Sequence, residues 1–263
     1  MAYIKEYWTD KEKRAEQARK HTREMQDKYS DGGIAKAIEN TKIYDTNFKC
    51  EKSANNNENI RIIVEDLDTV HAGRIYHNDG KVALLNFSSY KNPGGMFING
   101  SKAQEECLCH ASYLYNVLKE FQPDFYNWNN KHKNKALYLN RGLYSPDILF
   151  QYGEVLFHCD VITCAAPNKS AAQKYQNVSD KENTEVLRSR IKFVLDIAKD
   201  NDVDTLILGA YGCGAFGQNP TEVAEIFKEC LNTTHKCCFS KVVFAIPKGR
   251  NNNLQAFEKV FCS

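Results

Sequence analysis

Apolar residues gather in short runs along most of the chain. Ile60–Val64, Lys81–Phe87, Ala136–Leu139, Val155–Ala165, Thr205–Gly209 and Lys241–Ile246 are largely apolar and do not alternate with polar residues. Runs of this kind predict strands buried on both faces. Between them the period changes: Val186, Leu187, Ile191, Val194, Leu195 and Ala198 recur at three and four, as do Val223, Ala224, Phe227 and Leu231. That spacing predicts helices with one apolar stripe. Strands alternating with helices predict an α/β sandwich around a largely parallel central sheet.

The N-terminal part reads differently. Residues 3–29 are charged and poor in helix breakers, which predicts a helix closed before Asp31-Gly32-Gly33, with a second short helical stretch near Gly33–Asn40. Residues 51–59 read as a polar loop. No repeat, low-complexity tract or linker interrupts the rest. The expected division is therefore one domain, with an N-terminal helical extension (residues 1–50) packed on a core of residues 51–263.

Composition narrows the function classes. With 42% hydrophobic and 26% charged residues among 263, the chain can bury a substantial core. It has no apolar run long enough to span a bilayer, and Met1–Asp10 lacks the apolar segment of a signal peptide. The expectation is a monomer in the cytoplasm, or in the nucleus of a eukaryote, without a membrane partner. Lys and Arg number 35 against 33 Asp and Glu, too even a balance for general nucleic-acid binding. The charge-dense Lys11–Lys28 segment reads as a solvated helix face. Ten cysteines are present, but Cys107-x-Cys109 and Cys237-Cys238 have no second pair at zinc spacing, and Cys159 and Cys164 sit in an apolar run. Free thiols are expected.

Two segments carry candidate chemistry. The first runs from Asn86 to Glu106: Asn-Phe-Ser-Ser-Tyr-Lys-Asn-Pro-Gly-Gly-Met-Phe-Ile-Asn-Gly-Ser-Lys-Ala-Gln-Glu-Glu. It begins at the C-terminal end of a predicted strand, where open α/β sheets bind their ligands. Asn92-Pro93-Gly94-Gly95 predicts a sharp turn that brings bare backbone close to a ligand. Ser101 followed by Gln104 predicts a capping box and a helix from about Lys102, continued by Leu108, Ala111, Leu114 and Leu118. Gln104, Glu105 and Glu106 then fall beside the glycine turn. Acidic residues at a helix start also complement the macrodipole with no chemistry attached. A carboxyl here that protonates a leaving oxygen must keep its proton against the helix N-terminus, so burial or a neighbouring negative charge has to win.

The second segment, Gly209 to Glu222, follows the strand Leu206-Ile-Leu. Gly212, Cys213, Gly214, Ala215, Phe216 and Gly217 lead to Asn219, a predicted N-cap with Pro220 at the first helical position and Glu222 completing a capping box. Strand, glycine loop and helix start form a phosphate cradle; a purely structural turn is the plain alternative. Gly212, Gly214 and Gly217 match G-x-G-x-x-G literally, but the match comes late in the chain. The next strand ends in Pro247-Lys248 with no acidic residue for a ribose hydroxyl, against a dinucleotide fold. Two loops from strands of one sheet suggest a ligand in which a sugar is joined to a diphosphate.

In these two segments the chain resembles the bacterial-type poly(ADP-ribose) glycohydrolases, a branch of the macrodomain superfamily. The shared pattern is a glycine triplet, a spacer and Gln-Glu-Glu, here Gly94-Gly95-Met96, then Phe97–Ala103, then Gln104-Glu105-Glu106, with Leu208–Gly217 similar to the diphosphate loop. Tyr144-Ser-Pro-Asp and Val161-Ile-Thr-Cys-Ala-Ala-Pro-Asn are lesser matches, and the resemblance runs from about Arg14 to Phe257. It implies a three-layer α/β/α macrodomain-like sandwich with a mixed, mostly parallel sheet. The implied ligand is ADP-ribose or poly(ADP-ribose), with no metal or other cofactor, and the implied cleavage is exo-acting hydrolysis of the ribose–ribose bond. By the same resemblance Glu106 is the catalytic acid and Glu105 holds ribose hydroxyls. Asn86 meets the distal ribose, Gly94 and Gly95 wrap the diphosphate, Gly212 to Gly217 form the second diphosphate loop, Phe216 packs near the distal ribose, and Phe97 lines the same cavity. Met96 departs from the pattern by standing in the third glycine's place, where a positive φ would strain it. A non-catalytic ADP-ribose reader, or a hydrolase of another ADP-ribosyl bond, would use the same loops.

Overall fold

The computed structural model describes residues 9–53, 60–249 and 251–262. The first element is helix α1, Lys11–Tyr29, capped by the Asp10 carboxylate, which accepts from the N–H groups of Glu12 and Lys13. Residues 3–8 of the expected helix and residues 54–59 of the expected loop lie outside the described residues. The α-helix ends at Tyr29, before Asp31-Gly32-Gly33 as expected, and a π-type turn, Ser30–Ile34, joins it to the expected second stretch, α2, Ala35–Asn40. Gly33 lets the backbone run against the Tyr113 ring, since a Cβ there would lie 2.9 Å from the Tyr113 hydroxyl oxygen. α1 is not a wholly solvated face, because Arg14, Ala15 and Ala18 are buried.

The strands are β1 (Lys42–Tyr44), β2 (Arg61–Glu65), β3 (Val82–Phe87), β4 (Gly142–Tyr152), β5 (Val155–Cys164), β6 (Thr205–Leu208) and β7 (Lys241–Ala245). They form one seven-stranded sheet in the order β1-β4-β5-β3-β6-β7-β2. β1 and β5 each pair antiparallel with β4, and every other pairing is parallel. The mixed, mostly parallel α/β architecture is thus the one expected. In β3, Ala83 and Leu85 enter one core with β6, β7, and the helices α8 (Asp180–Asp200), α9 (Pro220–Asn232) and α10 (Asn253–Phe261). Val82 and Leu84 enter the other core, with α1, α2 and α3 (Thr69–Tyr76). A strand covered on both faces needs apolar residues at successive positions, which is why its run does not alternate.

Two strands were not expected, β1 and β4, and one expected strand is absent. Residues 134–138 instead form a turn in which Asn134, Lys135, Ala136 and Tyr138 all have positive φ. The buried Arg190 of α8 takes carbonyls a strand would offer its neighbour, donating to Leu137 O and Ala165 O. α4 (Gln104–His110) and α5 (Leu114–Leu118) replace the single expected helix, broken at Ala111–Tyr113, and α6 (Asn127–Lys131) and α7 (Lys169–Gln176) precede α8. Cys159 and Cys164 are buried free thiols in β5. Among the described residues no helix is long and apolar enough to cross a membrane.

β3 lies between β5 and β6, and both pair with it in parallel. The connection out of β3 runs toward β4 and the connection out of its neighbour β6 runs toward β7, in opposite directions, which opens a crevice at the C-terminal ends of these strands.

Candidate active site

The crevice holds a cleft of about 490 Å3 lined by both glycine segments: Ser88–Lys91, Gly95, Met96 and Ala103–Glu106 on one side, Gly212 and Gly214–Phe216 on the other. Neither segment is confined to its own strand end.

The first wall is built by Gln104. Its side-chain carbonyl accepts from Phe87 N at 2.8 Å, and its amide donates to Leu85 O at 2.8 Å and to Thr69 Oγ1 at 3.2 Å. One side chain thus mimics a strand neighbour and ties β3 to the start of α4. The helix begins at Gln104, with Ala103 as the cap residue. Ser101 forms no capping box with Gln104: its N–H bonds to Met96 O, 3.1 Å away, closing the tight turn of the glycine loop, and the Gln104 side chain is held at β3. The cap role falls instead to Glu106, whose Oε2 accepts from Ala103 N at 2.7 Å. This half of a capping box places Glu105 and Glu106 at the second and third helical positions, both side chains nearly buried.

The two carboxylates face different partners. Glu105 accepts from Ser89 N at 2.7 Å and from the Asn86 amide at 3.3 Å. Burial nevertheless dominates and, with the Glu106 charge alongside, lifts its carboxyl from 4.5 to about 8. Glu106 Oε1 accepts from Met96 N at 2.9 Å. Asn86 is fully buried and donates also to Thr163 Oγ1 at 3.3 Å, while its Oδ1 finds no partner among the described residues. Ser88 Oγ, next to it at the strand end, is likewise buried and unmatched.

Glycine is required at two points of the loop. Gly94 and Gly95 have φ of 62° and 61°, where a side chain is strained. A Cβ on Gly95 would also come within 2.5 Å of Glu106 Oε1 and 2.9 Å of Glu105 Oε2. Met96 escapes both constraints, since its φ is −112° and its side chain is 45% exposed. The strain expected from a non-glycine third position therefore does not arise.

The second wall is the loop after β6. Gly212 and Gly217 take φ of 77° and 72°, and Gln218 N bonds back to Gly212 O at 3.1 Å. That closes a ring from which the N–H groups of Gly214, Ala215 and Phe216 have no acceptor among the described residues. Asn219 caps α9 as expected, accepting from Thr221 N and Glu222 N. Glu222 does not return to the cap; its carboxylate accepts from the Thr184 hydroxyl.

Several expected contacts are displaced. Phe97 does not line the cleft. It is fully buried beneath the loop, its ring 4.6 Å from His110 and 5.2 Å from Tyr115. Gly94 faces inward toward Tyr115, and Cys213 and Gly217 stand behind the second loop, Gly217 against Ser170. Tyr138 was read as strand, yet it lines the cleft, stacked on Tyr90 with centroids 4.2 Å apart and planes at 11°, with Phe216 edge-on at 6.1 Å. No periodicity could have placed it, because its position depends on the left-handed turn. Lys91, the cation lining this cleft, was visible only as part of the loop.

Residues 10–151 match the family model described as "Microbial-type PARG, catalytic domain". The X-ray structure of poly(ADP-ribose) glycohydrolase from Thermomonospora curvata superposes with a TM-score of 0.85 at 30% identity, covering 95% of this chain and 100% of that one. The same enzyme bound to the inhibitor ADP-HPD gives 0.83 at 30% identity, with coverage of 95% and 100%. The Deinococcus radiodurans enzyme in complex with ADP-ribose gives 0.80 at 29% identity, covering 87% of this chain and 96% of that one. No curated protein matches the chain.

Proposed function

We infer the reaction from a premise that the family match establishes: the chain belongs to the microbial-type PARG family. The protein is a poly(ADP-ribose) glycohydrolase, hydrolysing the ribose–ribose O-glycosidic bond of the polymer. The observation that carries this reading is the shared cleft, which holds the Glu106 carboxyl and the unmatched N–H groups of Gly214–Phe216 together. A sugar joined to a diphosphate fits that pair of features.

The roles follow from the contacts. The N–H groups of the second loop receive diphosphate oxygens, as backbone donors at glycine loops do. Asn86 Oδ1 and Glu105 lie deep on the β3 side and suit ribose hydroxyls, a protonated Glu105 acting as donor. Glu106 gives its proton to the ribose 2′ oxygen. The bond from that oxygen to the anomeric carbon breaks, and its electron pair stays on the oxygen. The positive charge left on the sugar is stabilised by the nearby diphosphate. Water adds to the anomeric carbon and its proton returns to Glu106, restoring the acid. Tyr138 and Phe216 form an apolar wall against which a ribose face packs.

We read the cleavage as exo-acting, with free ADP-ribose as the product. Time-resolved chromatography of products from defined polymer tests both points. Early accumulation of ADP-ribose supports exo cleavage, oligomers as first products show endo cleavage, and binding without release removes the enzymatic reading altogether.

A further inference from the structure

The loop from Asn92 to Ser101 has two sides. One presents Gly95 and Met96 to the carboxylates. The other rests on α1. Arg14, 7% exposed, donates from Nε to Gly100 O at 2.7 Å, across 86 residues of sequence. Five residues further along the helix, Arg19 Nη1 donates to Ile98 O at 3.2 Å. His21 meets the Phe97 ring edge-on with centroids 6.4 Å apart, and its Nε2 lies 2.8 Å from Ser112 O, beyond the end of α4. Gly100 takes φ of 79°, and a Cβ on it would overlap the Lys11 carbonyl oxygen. The first turn of α1 therefore sits directly on the loop backbone.

We propose that α1 is a clamp that sets the glycine loop over Glu106, with Arg14 as its principal positioning residue. The inference rests on the glycohydrolase reading of the same cleft. The path is short. Arg14 fixes Gly100; Gly100 N bonds to Phe97 O at 2.9 Å and Ser101 N to Met96 O at 3.1 Å. These two bonds close a single tight turn, so a shift at Gly100 moves Met96, whose N–H holds the Glu106 carboxylate. Arg14 is not among the residues lining the cleft, and its bond to Gly100 reaches the carboxylates through the loop. The family match begins at residue 10, which is the Asp that caps this helix. The clamp therefore lies inside the matched catalytic domain.

The test uses the full chain and polymer turnover. Arg14→Met keeps the apolar stem and removes the donor; Arg14→Lys returns one donor. Displacing a catalytic loop by about 1 Å costs up to about 100-fold in rate, so Arg14→Met is expected to lose at least tenfold in kcat, with Arg14→Lys recovering part of it. Hydrogen exchange at the Met96–Ser101 amides is expected to rise in Arg14→Met while β3 and β6 stay protected. Leu231→Ala, buried toward the far end of α9, supplies a comparably destabilised chain and is expected to keep its kcat. Wild-type kcat in Arg14→Met, unchanged loop exchange, or an equal loss in Leu231→Ala overturns the clamp. An inactive wild type overturns the glycohydrolase reading instead, so the two failures are distinct. If Arg14→Met does not fold, Arg19→Gln at the exposed second bond must still raise loop exchange, or the proposal fails.

Discussion

The backbone N–H of Met96 donates to Oε1 of Glu106 at 2.9 Å, so the residue in the third glycine's place holds the carboxylate of the proposed acid. The bond uses backbone only, and Met96 has a negative φ. Side-chain identity there is accordingly free, whereas at Gly95 it is not. Met96→Gly is expected to leave kcat within about twofold and to destabilise the chain by about 0.5–1 kcal/mol through backbone entropy. Gly95→Ala, with φ of 61° and a Cβ 2.5 Å from Glu106 Oε1, is expected to lose about 100-fold or more in turnover. Steady-state kinetics and denaturant melts on both variants check this. A large kinetic loss in Met96→Gly would place the side chain itself in the mechanism.

Glu105 gives the protein a pH signature. Burial raises its carboxyl from 4.5 to about 8, so between these values the folded chain keeps a proton that the unfolded chain releases. The resulting stability is fully present below pH 4.5 and is lost as pH climbs toward 8. Within that window the slope is that of a proton released on unfolding. Glu105→Gln retains an acceptor for Ser89 N and does not titrate. Melting temperature measured from pH 5 to 9 is expected to fall more steeply in wild type than in Glu105→Gln. Parallel curves would show that the carboxyl titrates in its ordinary range.

Lys91 is the cation lining a cleft that also holds two glutamates. A polyanionic substrate entering such a site is favoured by that charge, and salt screens the attraction. Lys91→Met is expected to raise KM for polymer about fivefold at low ionic strength, an effect on the order of 1 kcal/mol, with little change in kcat. The difference should shrink as salt is added. A KM that is unaffected, or a deficit independent of salt, would remove Lys91 from substrate binding.

Much of this was legible in the chain itself, and particular residues explain where legibility ended. β3, β5, β6 and β7 announce themselves because burial on both faces forces continuous apolar runs such as Val82–Leu85. Asn219 and Pro220 mark the start of α9 because a helix N-terminus leaves donors that such residues satisfy locally. β1 has three residues and depends on β4 for its pairing, and β4 carries Pro146 and a register shift between Ser145 and Ile148. Neither presents a clean periodic signal. The start of α4 was misplaced because Ser101 is committed to Met96 O, a bond set by the Gly100 turn. In the site, Gln104, Glu105 and Glu106 were named from the segment that carries them. Tyr138 depends on the contacts Arg190 makes far away in sequence. Phe97 was assigned to the cleft, but the loop folds it under itself against His110. A sequence pattern gives adjacency along the chain; which face of a tight turn meets solvent is decided by what packs beneath it.

Glu106 is the proposed acid, and its carboxylate is held by Met96 N. The most direct measurement pairs polymer turnover with ADP-ribose calorimetry on Glu106→Gln, which keeps the side chain's size and an acceptor for Met96 N. Turnover is expected to fall by about 10²–10⁴-fold, the range for loss of a general acid, with ADP-ribose affinity within a few-fold of wild type. Near-wild-type release of ADP-ribose by Glu106→Gln would show that another group supplies the proton.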